Sequence, residues 1–139
     1  LKRMFEKVVG VLSENSSDDY FYDDEFIYVQ ELLRDFSDND WEKLFQSVKS
    51  KGDKYKIRLV YCIDDDFGMN GLKLLFSLLD ENDEVVEYVI DSLRSFKTPE
   101  YKELINSNNQ IIEKAESLLK NAIPPVKRVL EAFIEENKR

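Results

Sequence analysis

The sequence predicts an all-α fold. Apolar residues recur at intervals of three and four along nearly the whole chain, which is the spacing of one helix face. The 139 residues include four glycines and three prolines, too few for the many turns of an all-β domain. Strand-like content is confined to Tyr20-Phe21-Tyr22 and to the run Ile57 to Ile63. Helix signals flank that second run on both sides, so it reads as a buried helix.

The elements follow in order. Phe5, Val8, Val9 and Leu12 form a first stripe. Residues 13–22 carry Ser13, Asn15, Ser16, Ser17, Asp18 and Asp19, a loop composition. Phe26, Val29, Leu32, Leu33 and Phe36 mark the next helix, and Ser37-Asp38-Asn39-Asp40 stops it, with Asp40 a candidate N-cap ahead of Trp41. Trp41, Leu44, Phe45 and Val48 follow. Lys51-Gly52-Asp53 ends that stripe, with Gly52 suited to a left-handed C′ position and Asp53 to a cap. A helix from Lys54 to Ile63 leads to a turn at 64–71. Leu72, Leu75, Phe76 and Leu79 make another helix, and Val85, Val86, Val89, Ile90, Leu93 and Phe96 make the clearest one. Pro99 fits the first turn of a further helix. Another runs from about Asn109 to Lys120, Ala122-Ile123-Pro124-Pro125 breaks it, and Val126, Val129, Leu130, Phe133 and Ile134 close the chain. Trp41, Leu59, Val60, Leu75, Val89 and Leu93 are the expected core.

The length suits a single domain, 1–139. Hydrophobic residues make up 42% of it and charged residues 35%, enough apolar material to build a core without staples. One cysteine, Cys62, excludes an internal disulfide and fits a reducing compartment. No run approaches the roughly 18 apolar residues of a membrane span, and Leu1-Lys2-Arg3-Met4-Phe5 lacks a signal-peptide pattern. The expected location is cytoplasmic.

Charge is segregated. Residues 14–42 carry a net −10, residues 64–91 a net −8, and residues 43–63 between them +5, within a total of −9. Such a field repels phosphate backbones and attracts basic proteins. No nucleic-acid or membrane partner is expected, and the chain reads as a monomer. Histidine is absent, so no nucleophile–histidine pair exists. There is no glycine loop to cradle a phosphate. None of the 29 acids sits in the apolar, glycine-rich setting that tunes a catalytic carboxyl. The expectation is a non-enzyme without cofactor or metal. Asp64-Asp65-Asp66 fails the calcium-loop pattern, because Met69 and Leu75 stand where glycine and glutamate are required.

Two segments align at a spacing of about thirty residues. Leu44-Phe45-Gln46-Ser47-Val48, a polar loop and the Asp53 helix match Leu75-Phe76-Ser77-Leu78-Leu79, a polar loop and the Asp83 helix. The clearest units are 41–63 and 72–96. The stretch from Leu74 to Leu93, with its acidic turn and its Asp83-Glu84-Val85-Val86 opening, resembles a HEAT-type repeat, although Glu87 lies where a basic residue is usual. The resemblance implies a HEAT-like, α-solenoid-like stack of antiparallel helical hairpins, about eight helices in all.

A short, acidic, all-helical chain of this pattern resembles the HEAT-like immunity proteins of bacterial contact-dependent inhibition and polymorphic toxin systems. The resemblance implies binding and neutralising a cognate toxin domain, a basic and nuclease-type one given the charge. The alternative is a cytosolic HEAT-like adaptor or scaffold for a basic protein. Expected partner-binding residues are Tyr20, Tyr22, Asp23, Asp24 and Glu25 in the first acidic block, then Asp64, Asp65 and Asp66. Glu84, Glu87, Tyr88 and Asp91 complete the set, on the face opposite Val86, Val89, Ile90 and Leu93.

Overall fold

A computed structural model describes residues 4–137; the reading of the N-terminal five residues rests partly on Leu1, Lys2 and Arg3, which lie outside that range. Helix covers 78% of the chain, and the described residues contain no strand. The helices are α1 (Met4–Ser13), α2 (Asp18–Tyr20), α3 (Phe26–Arg34), α4 (Asp38–Val48), α5 (Asp53–Cys62), α6 (Gly68–Ser77), α7 (Asp83–Leu93), α8 (Pro99–Asn106), α9 (Asn109–Leu119) and α10 (Pro124–Glu136). A π-turn (Phe21–Glu25) fuses α2 to α3, and a 3-10 turn (Asp65–Phe67) precedes α6. Apart from the three-residue α2, nine helices pack against one another, one more than about eight.

Helix α5 is the axis of the fold. Seven of its residues are buried, on every side: Tyr55, Lys56, Ile57, Arg58, Leu59, Val60 and Cys62. A helix buried this fully has neighbours on several faces, and α5 packs on α1, α3 and α7. Helix α7 in turn packs on α5, α6, α9 and α10, while α4 packs on α1 and α6. The expected core residues Trp41, Leu59, Val60, Leu75, Val89 and Leu93 are all buried, none more than 5% exposed. Burying a side chain of this size stabilises the fold by about 1.5–3 kcal/mol. Helices α4 and α6 begin thirty residues apart, at Asp38 and Gly68, and α5 and α7 do the same, at Asp53 and Asp83. Bonds between equivalent parts tie the two units together: Asn82 donates to Asp53, and Ser92 Oγ donates to the Val60 carbonyl at 2.9 Å.

Three local expectations are corrected. Residues 18–25 are helical rather than loop. Ser17 Oγ accepts from the Tyr20 N–H at 3.2 Å, and Asp18 and Asp19 sit in the first turn, where acids favour the positive helix end. The N-cap of α4 is Ser37, with Asp40 at the third position closing a capping box, so the acid caps from inside the helix. Gly52 is the extended N-cap of α5 (φ −75) and not a left-handed C′ residue; Asp53 follows it as the first helical residue. The left-handed glycine is Gly68, at φ 57.

Candidate protein-binding face

Arg58 positions the first acidic block. Its side chain is 1% exposed. Nη1 donates to Ser16 Oγ at 2.9 Å, and Nη2 donates to the Ser16 carbonyl and to Asp18 Oδ1, both at 2.9 Å. The guanidinium lies 4.7 Å from the Phe21 ring centroid, a stacked cation–π geometry. Ser16 Oγ donates on to Glu25 at 2.6 Å. These bonds clamp both ends of the π-turn, whose extra residue turns Phe21 into the core and leaves Tyr22 half-buried beside it.

Tyr22 begins an aromatic run. It meets Phe21 edge-on at 5.2 Å and Tyr61 at 4.7 Å, and Tyr61 meets Phe26 at 5.3 Å, within the favoured range for edge-to-face rings. Tyr61 is 43% exposed on a helix whose other residues from Tyr55 to Cys62 are buried. Burial pushes the Tyr22 phenol up to about 12, with Tyr88 and Asp18 adding to the rise and Arg58 opposing it. Tyr88 is shifted up in the same way, by burial first and then by Glu84, Asp18, Glu87 and Asp91. Asp18 acts on both phenols, so the start of the first acidic block and the polar face of α7 share one neighbourhood.

That face has an apolar counterpart. Glu84, Glu87, Tyr88 and Asp91 on α7, with Pro125, Val126 and Val129 on α10, line an open groove of about 430 Å³. Among the described residues, no ion pair engages Glu84 or Glu87. Glu87 is half-buried, and burial, then Asp83 and Glu84, raise its carboxyl above the ordinary range. Asp91 has a 3.6 Å contact with Arg94. An acidic wall whose charges repel one another is stabilised by an incoming cation.

The expected site residues thus fall into three groups. Tyr22, Glu84, Glu87, Tyr88 and Asp91 come together. Tyr20, Asp23 and Asp24 point to solvent nearby in sequence, while Glu25 is engaged by Ser16. Asp64, Asp65 and Asp66 form a separate cluster where α5 meets α6. Their carboxylate oxygens lie within 4.8 Å of one another, a spacing that could share an ion. Two of the three already have work: Asp64 Oδ1 accepts from the Asp66 N–H at 3.0 Å, and Asp66 lies 3.5 Å from Arg34. Burial, then the repulsion of Asp66 and Asp65, raises the Asp64 carboxyl, against the Asp66 N–H and Arg34.

Sequence reasoning missed Tyr61, the tie of Asp18 to Arg58 and the α10 wall. A tyrosine inside the apolar run Leu59-Val60-Tyr61-Cys62-Ile63 is the available signal for Tyr61. Nothing local announces that Pro125, Val126 and Val129 face Glu84 across a gap. Comparison with protein-family models, curated proteins and solved structures finds no match.

Proposed function

We propose that this protein is an immunity protein that binds and neutralises a basic toxin domain in the cytoplasm. The observation that carries the reading is the face just described: half-buried tyrosines beside Glu84 and Glu87, which no ion pair engages among the described residues. Aromatic anchors ringed by charge suit a protein interface. A nuclease must present a positive channel to hold its substrate, and an acidic face can occupy that channel in competition with nucleic acid. The thirty-residue offsets of α4/α6 and α5/α7, with α3, α5, α7 and α10 as successive neighbours, support the HEAT-like arrangement of stacked hairpins, in which binding faces are extended.

The test pairs binding with survival. Any toxin domain found encoded beside this chain is titrated with it across salt, and cells expressing that domain are scored for rescue. Steered association is fast and falls steeply with salt. Reversing charge at Glu84, Glu87 and Asp91 slows association, and Tyr61→Ala speeds dissociation by about tenfold, the equivalent of 1.4 kcal/mol. A wild-type chain that neither binds nor protects removes the immunity reading, and the adaptor for a basic protein takes its place.

A further inference from the structure

The groove between α7 and α10 has unlike walls, acidic and aromatic on one side, apolar on the other. We propose that it is a socket for an amphipathic helix of a protein partner, seated with an arginine against Tyr88 between Glu84 and Glu87 and an apolar side chain against Val126 and Val129. The inference rests on reading the face as a protein-binding surface, and it names the element that the surface receives.

Charge selects the occupant's sign. Glu84 and Glu87 have no cation of their own among the described residues, and burial first, then Asp83 and Glu84, raise the Glu87 carboxyl. Spacing selects a helix. Glu84, Glu87, Tyr88 and Asp91 stand at i, i+3, i+4 and i+7, a strip about 10 Å long at 1.5 Å per residue, which matches two turns of an occupant helix laid alongside. Backbone chemistry selects it again. Both walls are helices that use their own N–H and C=O groups, so an extended peptide would find no edge to pair with, whereas a helix satisfies its backbone internally. Tyr88 selects arginine over lysine. A planar guanidinium stacks on a phenol ring while its N–H groups reach two carboxylates, which a point-charge ammonium cannot do.

The experiment uses the full chain and a labelled peptide of about 15 residues, long enough to hold helix. It carries arginines at i, i+4 and i+7 beside a leucine stripe and is read by fluorescence anisotropy. Glu84→Gln with Glu87→Gln preserves shape and should weaken binding about tenfold. Val126→Thr with Val129→Thr, also isosteric, should weaken it several-fold, and Glu31→Gln with Asp35→Asn, exposed acids outside the expected site, should leave it within about twofold. Circular dichroism and melting confirm that each variant folds. A lysine peptide should bind several-fold more weakly and a scrambled peptide about tenfold more weakly. A scrambled peptide that binds equally, or a Glu31/Asp35 variant as damaging as the Glu84/Glu87 one, means diffuse charge attraction and overturns the socket. Spermine displacing the peptide at equal affinity overturns it in favour of a small-cation site. A chain that binds the peptide but does not protect against the toxin keeps the socket and loses the immunity reading. Protection that survives Glu84→Gln/Glu87→Gln unchanged keeps the immunity reading and loses the socket.

Discussion

Replacing Arg58 should loosen the first acidic block before it unfolds the chain. The guanidinium is 1% exposed, it donates three bonds at 2.9 Å, and it covers the Phe21 ring. Bonds from a charged donor contribute about 1.5–3 kcal/mol each. Against them stands the desolvation of a buried cation, several kcal/mol, and the Nε atom is buried without a partner. Arg58→Met keeps much of the packing and removes both the bonds and the desolvation cost, so it should lose only about 1–3 kcal/mol. Arg58→Ala also leaves a void beneath Phe21 and should lose about 3–5 kcal/mol. Asp18→Asn should lose under about 1 kcal/mol, because Asp18 is 72% exposed and exposed pairs contribute little. The assay is urea unfolding at neutral pH followed by circular dichroism and Trp41 fluorescence, with hydrogen exchange across 16–26. At about 4 °C per kcal/mol for a domain of this size, the alanine variant should melt roughly 12–20 °C lower. If Arg58→Met matches or exceeds wild-type stability, the buried cation is a net cost and the reasoning fails. If exchange at Tyr22 is unchanged in that variant, Arg58 does not hold the π-turn.

Three further outcomes are expected. Leu75→Ala and Leu93→Ala, at 0% and 1% exposure, should each cost about 2–5 kcal/mol in denaturant titrations; a loss below roughly 0.5 kcal/mol, the scale of surface changes, contradicts the core assignment. Gly10→Ala has open space around its Cβ inside α1 and should stabilise by about 0.5–1 kcal/mol, whereas Gly68→Ala, at φ +57, should destabilise by about 1–2 kcal/mol; the same sign for both would refute the backbone assignment. Tyr22 and Tyr55, raised by burial to about 12, should ionise last in a near-ultraviolet pH titration. The folded chain keeps these protons where the unfolded chain releases them, so their contribution is whole below pH 10 and falls as pH rises from 10 toward 12; stability that stays flat across that window refutes the burial of both phenols.

Amphipathic stripes made most of this fold legible. The Val85 to Leu93 stripe predicted α7 and its buried face residue by residue, because one period governs both. The run Ile57 to Ile63 was read as a buried helix from its flanks, and α5 is one. What failed was local. Ser, Asn and Asp favour caps and loops alike, so 13–22 looked like a loop until Ser17 and Arg58 could be seen to cap and clamp it. Gly52 could end one helix or begin the next, and only its backbone angle decides. The site was half legible for the same reason. Glu84, Glu87, Tyr88 and Asp91 share a periodic face, whereas their meeting with Tyr22, and with Val126 some forty residues on, is a product of packing that no local pattern encodes.

The segregation of charge acquires a structural meaning from the basic block at 43–63. Three of its six cations are turned inward or tied down. Arg58 takes Asp18, Lys56 is 6% exposed and bonds Glu81 at 2.6 Å, and Lys49 bonds Asp80 and reaches Glu81 at 3.4 Å. These ties fasten acidic residues to α5 and to the end of α4 and leave less positive charge free to offset the α7 face. Among the described residues, Glu84 and Glu87 project a field that no ion pair quenches, whereas Asp18, Asp80 and Glu81 are each paired. A cation arriving at the groove has little to break. It displaces at most the partly exposed Asp91–Arg94 contact at 3.6 Å, a pair of the kind that contributes under about 1 kcal/mol. Nearly all of its attraction to Glu84 and Glu87 is then available for binding, and that attraction is also the term that salt screens first.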